Sequence, residues 1–167
     1  MRVVISHTKR LPAVEAGAPG AEWYDVSADE HAYWRLMCDL WADGESFLIV
    51  EHDVVCRPDV IEQVEECPEP WCSFGYLDMC HPECQEAWAN QLGCTRFRAE
   101  LIRATPDAVS SIPPSGRGWL NLCDHIAGNK LHGTPSPLRP GSVRAAGFSH
   151  HWHLPLVEHL HGGRDAD

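Results

Sequence analysis

The run Phe47, Leu48, Ile49, Val50 constrains this chain more than any other stretch. A strand with one wet face alternates apolar and polar residues, because successive side chains point to opposite sides. Four apolar residues in succession therefore predict a strand buried on both faces, which belongs to a sheet covered by helices above and below. Glu51, His52 and Asp53 then interrupt the run. Open α/β sheets bind their ligands at the C-terminal edge of the strands. Acids at that point read either as ligand groups or as solvated residues of a strand-to-helix loop.

The remainder of the chain fits the same βαβ-like alternation. MRVVIS (1–6) reads as a buried strand with the polar, basic exit HTKR, and LPAVEAGAPGA, with two glycines and two prolines, as a loop. EWYDVS (22–27) is a second strand. Ser27 is placed as an N-cap with Glu30 three residues on, and Tyr33, Trp34, Met37, Cys38 and Trp41 recur at helical spacing. This predicts an amphipathic helix over 28–42 whose aromatic stripe faces the core.

ESFLIVEHDVV supplies the third strand, and Pro58 opens a helix over 58–66 with Val60, Ile61 and Val64 on one face. Residues 67–77 read as a loop followed by a strand, and 81–91 as a short helix or part of a loop. LGCTRF (92–97) is a strand or turn leading into helix RAELIRA, 119–131 is a helix, and FSHHWHLPLVEHLHGG carries a strand-like run between two histidine clusters. A chain of 167 residues, 44% hydrophobic, suits one domain, here 1–163, with 164–167 fraying.

Thirteen basic against 24 acidic side chains give a net charge of -11, which argues against a surface built to coat nucleic acid. No stretch approaches the roughly 20 apolar residues of a membrane span, and MRVVISHTKR enters a strand with no signal-like apolar region. A soluble, cytoplasmic protein is expected, with its eight cysteines reduced.

Residues i and i+2 of a strand point the same way, so Glu51 and Asp53 are expected on one face with His52 on the other, and two such carboxylates can hold a hard cation or a ribose hydroxyl. This layout resembles a GT-A type glycosyltransferase, in which a D-x-D or related acidic triplet follows a hydrophobic strand. It is similar to compact glycosyltransferase-like proteins of actinobacterial phages and bacteria, which share an EHD strand, a PWC segment, an LGCTRF segment, a W-x-x-x-x-D helix and a His-rich tail. The resemblance spans about residues 1 to 161.

It implies a single Rossmann-like GT-A type domain, α/β with a mixed central sheet flanked by helices. It also implies transfer of a sugar from a nucleotide-sugar donor to an acceptor hydroxyl, with Mn²⁺ or Mg²⁺ as the ion. Glu51 and Asp53 match the acidic triplet, and one of His153, His159 or His161 supplies a late metal ligand. Asp124, in WLNLCDHI, stands where inverting members carry the general base. Ser6, His7, Thr8, Lys9 and Arg10, at the exit of the first strand, would meet base and phosphates, and Trp71, Tyr76 and Trp119 offer stacking faces. The location implied is the cytoplasm, the host's for a phage gene.

The chain is short for such an enzyme and its first acid is Glu rather than Asp. Few residues remain for an acceptor pocket, which suits a protein or polymer surface as acceptor, or a domain that binds the donor without turning it over. A rival of another class is a small zinc-binding structural or interaction domain using Cys67, Cys72, Cys80 and Cys84, with His81 alongside. A metal-dependent hydrolase built from Glu51, Asp53 and the tail histidines is a third reading, against which the order of acids and histidines counts.

Overall fold

The computed structural model describes residues 1–74, 76–77, 88–89, 92–114, 150–153 and 157–159. In chain order the elements are β1 (Arg2–His7), α1 (Pro12–Gly17), β2 (Glu22–Asp25), α2 (Ala32–Asp43), β3 (Phe47–Glu51), β4 (Val54–Cys56), α3 (Val60–Glu66) and β5 (Trp71–Phe74). They continue with β6 (Tyr76–Leu77), β7 (Trp88–Ala89), β8 (Cys94–Phe97), α4 (Ala99–Ala104), β9 (His150–His153) and β10 (Val157–His159).

Six strands form the central sheet in the order β2-β1-β3-β8-β5-β9. β1 runs parallel to β2 and β3, β5 runs parallel to β9, and β8 alone is antiparallel to both its neighbours. The C-terminal ends of β1, β2, β3, β5 and β9 therefore lie along one edge. The predicted mixed α/β sheet flanked by helices is what the chain forms.

The run 47–50 shows why. Phe47 and Ile49 face one core with Val4, Trp71 and Phe97, closed by Leu36, Met37, Leu40 and Trp41 of α2 and Leu101 and Ile102 of α4. Leu48 and Val50 face the opposite core with Ile5, Cys72, Phe74 and Cys94, closed by Val14 of α1 and Val60 and Val64 of α3. All four residues of the run are at most 1% exposed, so one tetrapeptide supplies both hydrophobic layers.

Several boundaries depart from the sequence reading. The Pro- and Gly-rich stretch holds helix α1, opened by a proline in its first turn. Gly17 ends it against β4, where a Cβ would come 2.5 Å from the carbonyl oxygen of Cys56. The helix predicted from 28 begins at Ala32, because Ser27 does not cap it. The backbone N–H of Ser27 donates to Asp25 and that of His31 to Asp29, forming two Asx turns that delay the helix. The helix ends at Gly44, whose left-handed φ of 69° glycine adopts without a Cβ clash.

The third strand is not continuous either. β3 stops at Glu51, a turn takes up His52 and Asp53, and β4 resumes at Val54. In the tail, β9 takes up the first histidine cluster, and β10 begins at Val157 in the run between the clusters and ends at His159. The helix expected over 119–131 lies outside the described residues. Among the described residues, no helix is long and apolar enough to cross a membrane.

Candidate functional site

Parallel pairing of β1 with β3 sets Ser6 opposite Glu51, so the ends of the two strands meet at the sheet edge. Ser6 and His7 are buried, whereas Thr8, Lys9 and Arg10 are exposed in the loop that follows. Arg10 lays its guanidinium 5.1 Å from the centre of the Trp23 ring, and His7 meets that indole edge-on at 5.4 Å. Burial, chiefly, and the nearby positive charge of Arg10 hold His7 below its ordinary pKa against the pull of Asp25. Neutral at pH 7, its imidazole can both donate and accept a hydrogen bond.

Glu51 and Asp53 are both half-buried, and the backbone N–H of Glu51 donates to the carbonyl of Gly93 at 2.9 Å. Because the strand ends at Glu51, strand alternation no longer fixes the relation of the two carboxylates; a turn does. Antiparallel pairing of β10 with β4 places the backbone of His159 opposite Val54, the residue after Asp53. A tail histidine thus returns to the acidic turn from more than 100 positions along the chain. Asp124 and His161 lie outside the described residues, as does Trp119. Trp71 is core, stacked on Phe97.

His153 goes elsewhere. It ends β9, which is separated from β3 by β8 and β5. Three strand spacings set the two ends about 14 Å apart. There Cys67, Cys72 and His153 bring one ligand atom each to within 4.8 Å of one another. The exposed His151 lies beside this group of three, its Nδ1 3.3 Å from the sulfur of Cys67 and its ring 4.4 Å from that of His153. Among the described residues no other group of three or more His, Cys, Asp or Glu side chains converges in this way.

The frame of this cluster is built by local rules. Cys72 and Phe74 alternate onto one face of β5, and pairing in register sets His151 and His153 beside them on β9. Cys67 caps α3, and its carbonyl accepts from Arg96, at 3.2 Å, and from Arg98. Phe74 stacks on His153 at 4.6 Å. Burial pushes the Cys72 thiol up to about 12, with Arg96 opposing and Cys67 adding. Burial first, then His151 and Arg96, hold His153 below its usual value.

The sequence reading included Cys67 and Cys72 in a thiolate set and His153 in a carboxylate set, but did not single out His151. The signal was present: in HHWH, strand alternation puts His151 and His153 on one face. Cys80, His81 and Cys84 lie outside the described residues.

No family model matches the sequence, and no curated protein matches it either. Among solved structures, the chain is similar to a glycosyltransferase involved in the glycosylation of the major capsid of PBCV-1, with 13% identity and a TM-score of 0.48 over 98% of this chain and 95% of that one. It is also similar to a Bacillus anthracis protein provisionally named a glucose-1-phosphate thymidylyltransferase, solved with a sucrose. There the identity is 10% and the TM-score 0.43, over 95% of this chain and 71% of that one. Neither likeness assigns an activity or a residue to this chain.

Proposed function

We propose that the chain transfers a sugar from a nucleotide-sugar donor to an acceptor hydroxyl at the edge formed by β1 and β3. The observation that carries this reading is the meeting of Ser6 with Glu51 at the strand ends, with Asp53 in the next turn and the backbone of His159 beside it. Ligands of open α/β sheets collect at this edge. The donor set suits a hard divalent cation, since two half-buried carboxylates offer the oxygen ligands that Mn²⁺ and Mg²⁺ prefer. Glu51 and Asp53 would hold it, with His159, whose backbone pairs opposite Val54, the proposed tail ligand; bound there, the ion would neutralise a diphosphate leaving group as a Lewis acid.

The chain's own groups do the rest. The exposed Thr8, Lys9 and Arg10 face the phosphates from the β1 loop, Lys9 and Arg10 adding positive charge to an otherwise acidic protein. Neutral His7 is a candidate partner for a base or ribose edge. Asp124 is the proposed general base for the acceptor hydroxyl, and a broad protein or polymer surface is the proposed acceptor. Calorimetric titration with UDP, GDP and their sugars, with and without Mn²⁺, tests this on the wild-type protein and Asp53→Ala. Ion-dependent binding by the wild type that Asp53→Ala loses is expected. No binding of any donor, or equal binding by both proteins, overturns the reading.

A further inference from the structure

We infer that Cys67, Cys72, His151 and His153 form a closed, structural zinc site that fastens the edge strand β9 to the C-terminal end of α3. The site is separate from the carboxylate edge and does not depend on the donor reading.

The ligand chemistry comes first. Two sulfurs and two imidazoles form the mixed set that zinc takes in tetrahedral structural sites, whereas hard ions prefer oxygen. Geometry agrees. With metal–ligand bonds of 2.0 to 2.3 Å, neighbouring ligand atoms of a tetrahedron stand roughly 3.3 to 3.8 Å apart. The separation of His151 Nδ1 from Cys67 Sγ is 3.3 Å, and the ligand atoms of Cys67, Cys72 and His153 all fall within 4.8 Å. Closing the site requires the three to draw in and the exposed His151, which lies outside that group, to turn toward the ion.

A second observation points to a ligand. The Nε2 atom of His153 is buried and makes no hydrogen bond among the described residues. A buried polar atom left so costs free energy that a bound cation recovers. The surroundings fix the ligands as metal sites require. Arg96 and Arg98 hold the Cys67 carbonyl, and Phe74 holds the His153 ring by stacking. Four protein ligands leave no position for water or substrate, so the role is structural.

The fold explains the need for such a tie. Among the described residues β9 lies at the end of the sheet order and pairs with β5 alone, and it follows β8 and α4 by a long stretch of chain. A four-residue edge strand paired with a strand so much earlier in the chain gains from a tie. Zinc would join it to ligands 79 and 84 or more positions earlier, and so steady the segment leading to β10, where His159 lies beside the acidic turn.

The test uses the untagged full chain. Metal content is measured after purification without added metal, and the absorption spectrum is recorded after cobalt is exchanged in. One zinc per chain is expected, with the sulfur-to-cobalt charge-transfer bands of tetrahedral thiolate coordination. Zinc content should fall at least about tenfold in Cys72→Ser and His153→Asn but stay whole in Cys38→Ser and Asp53→Ala. Wild-type protein without stoichiometric zinc overturns the inference, as does cobalt bound without sulfur bands. Retention of zinc by Cys72→Ser or His153→Asn also overturns it. The cobalt spectrum needs only the wild-type chain, so a variant that fails to fold does not remove the test. Zinc present without donor affinity would defeat the transferase reading and leave this one standing.

Discussion

Two regions of one sheet differ in chemistry. Where β1 and β3 end, the candidate ligands are oxygens: Ser6 in the strand, Glu51 at its end and Asp53 in a turn. Where α3 leads into β5 and β5 pairs with β9, they are sulfur and nitrogen, set against a buried arginine and a phenylalanine ring. The first set runs from the buried Ser6 to the half-buried Glu51 and Asp53 at strand ends and a turn. The second has two buried sulfurs, with a half-buried His153 and an exposed His151 beside them. The contrast teaches that a histidine-rich tail need not serve a single ion: His153 belongs to the sulfur end, while the backbone of His159 runs beside the oxygen end.

Removing the sulfur end should have the largest effect. Cys72→Ser, or chelation of the wild type, is expected to cost about 4 kcal/mol of apparent stability when zinc stands about a thousandfold above its dissociation constant. Thermal melting with and without chelator measures this, and an unchanged melting temperature would break the contrast. Next comes Arg96→Met, which removes a buried cation from the carbonyls of Cys67 and Glu69. About 3 kcal/mol of stability should be lost in denaturant unfolding, with zinc affinity weakened about 10- to 100-fold.

Asp53→Ala is expected to weaken ion-dependent donor binding about 100-fold, or about 2.7 kcal/mol, while zinc content stays whole. Calorimetry and metal analysis on one preparation would show whether the two ends are separable. The smallest effect is acid sensitivity from His7. Its folded pKa lies below the ordinary 6.5, so the unfolded chain binds the extra proton first. Stability contributed by neutral His7 is complete above that value and is lost as pH falls from about 6.5 toward the folded pKa. His7→Asn should flatten the stability profile in that window without altering zinc content.

Much of the fold could be read locally. The run 47–50 implied two buried faces because only burial on both sides tolerates unbroken apolarity, and the stripe from Tyr33 to Trp41 found its core because helical spacing is a short-range property. What escaped depended on competing local bonds or distant pairing. The Asx turns of Asp25 and Asp29 moved the start of α2, and a proline-led helix lay inside a stretch whose glycines and prolines read as loop. The break after Glu51 changed how the two acids relate. At the sulfur end the residues were visible but their company was not. Cys72 meets His151 only because β5 and β9 pair in register, and no local pattern states that pairing.

The most direct measurement is anomalous X-ray scattering from crystals of the untagged chain soaked with Mn²⁺ and UDP, recorded at the zinc and manganese edges. The account predicts a zinc peak within bonding distance of Cys67, Cys72, His151 and His153, and a separate manganese peak at Glu51 and Asp53. A single shared peak, zinc held by the carboxylates, or no metal at the cysteines would contradict it.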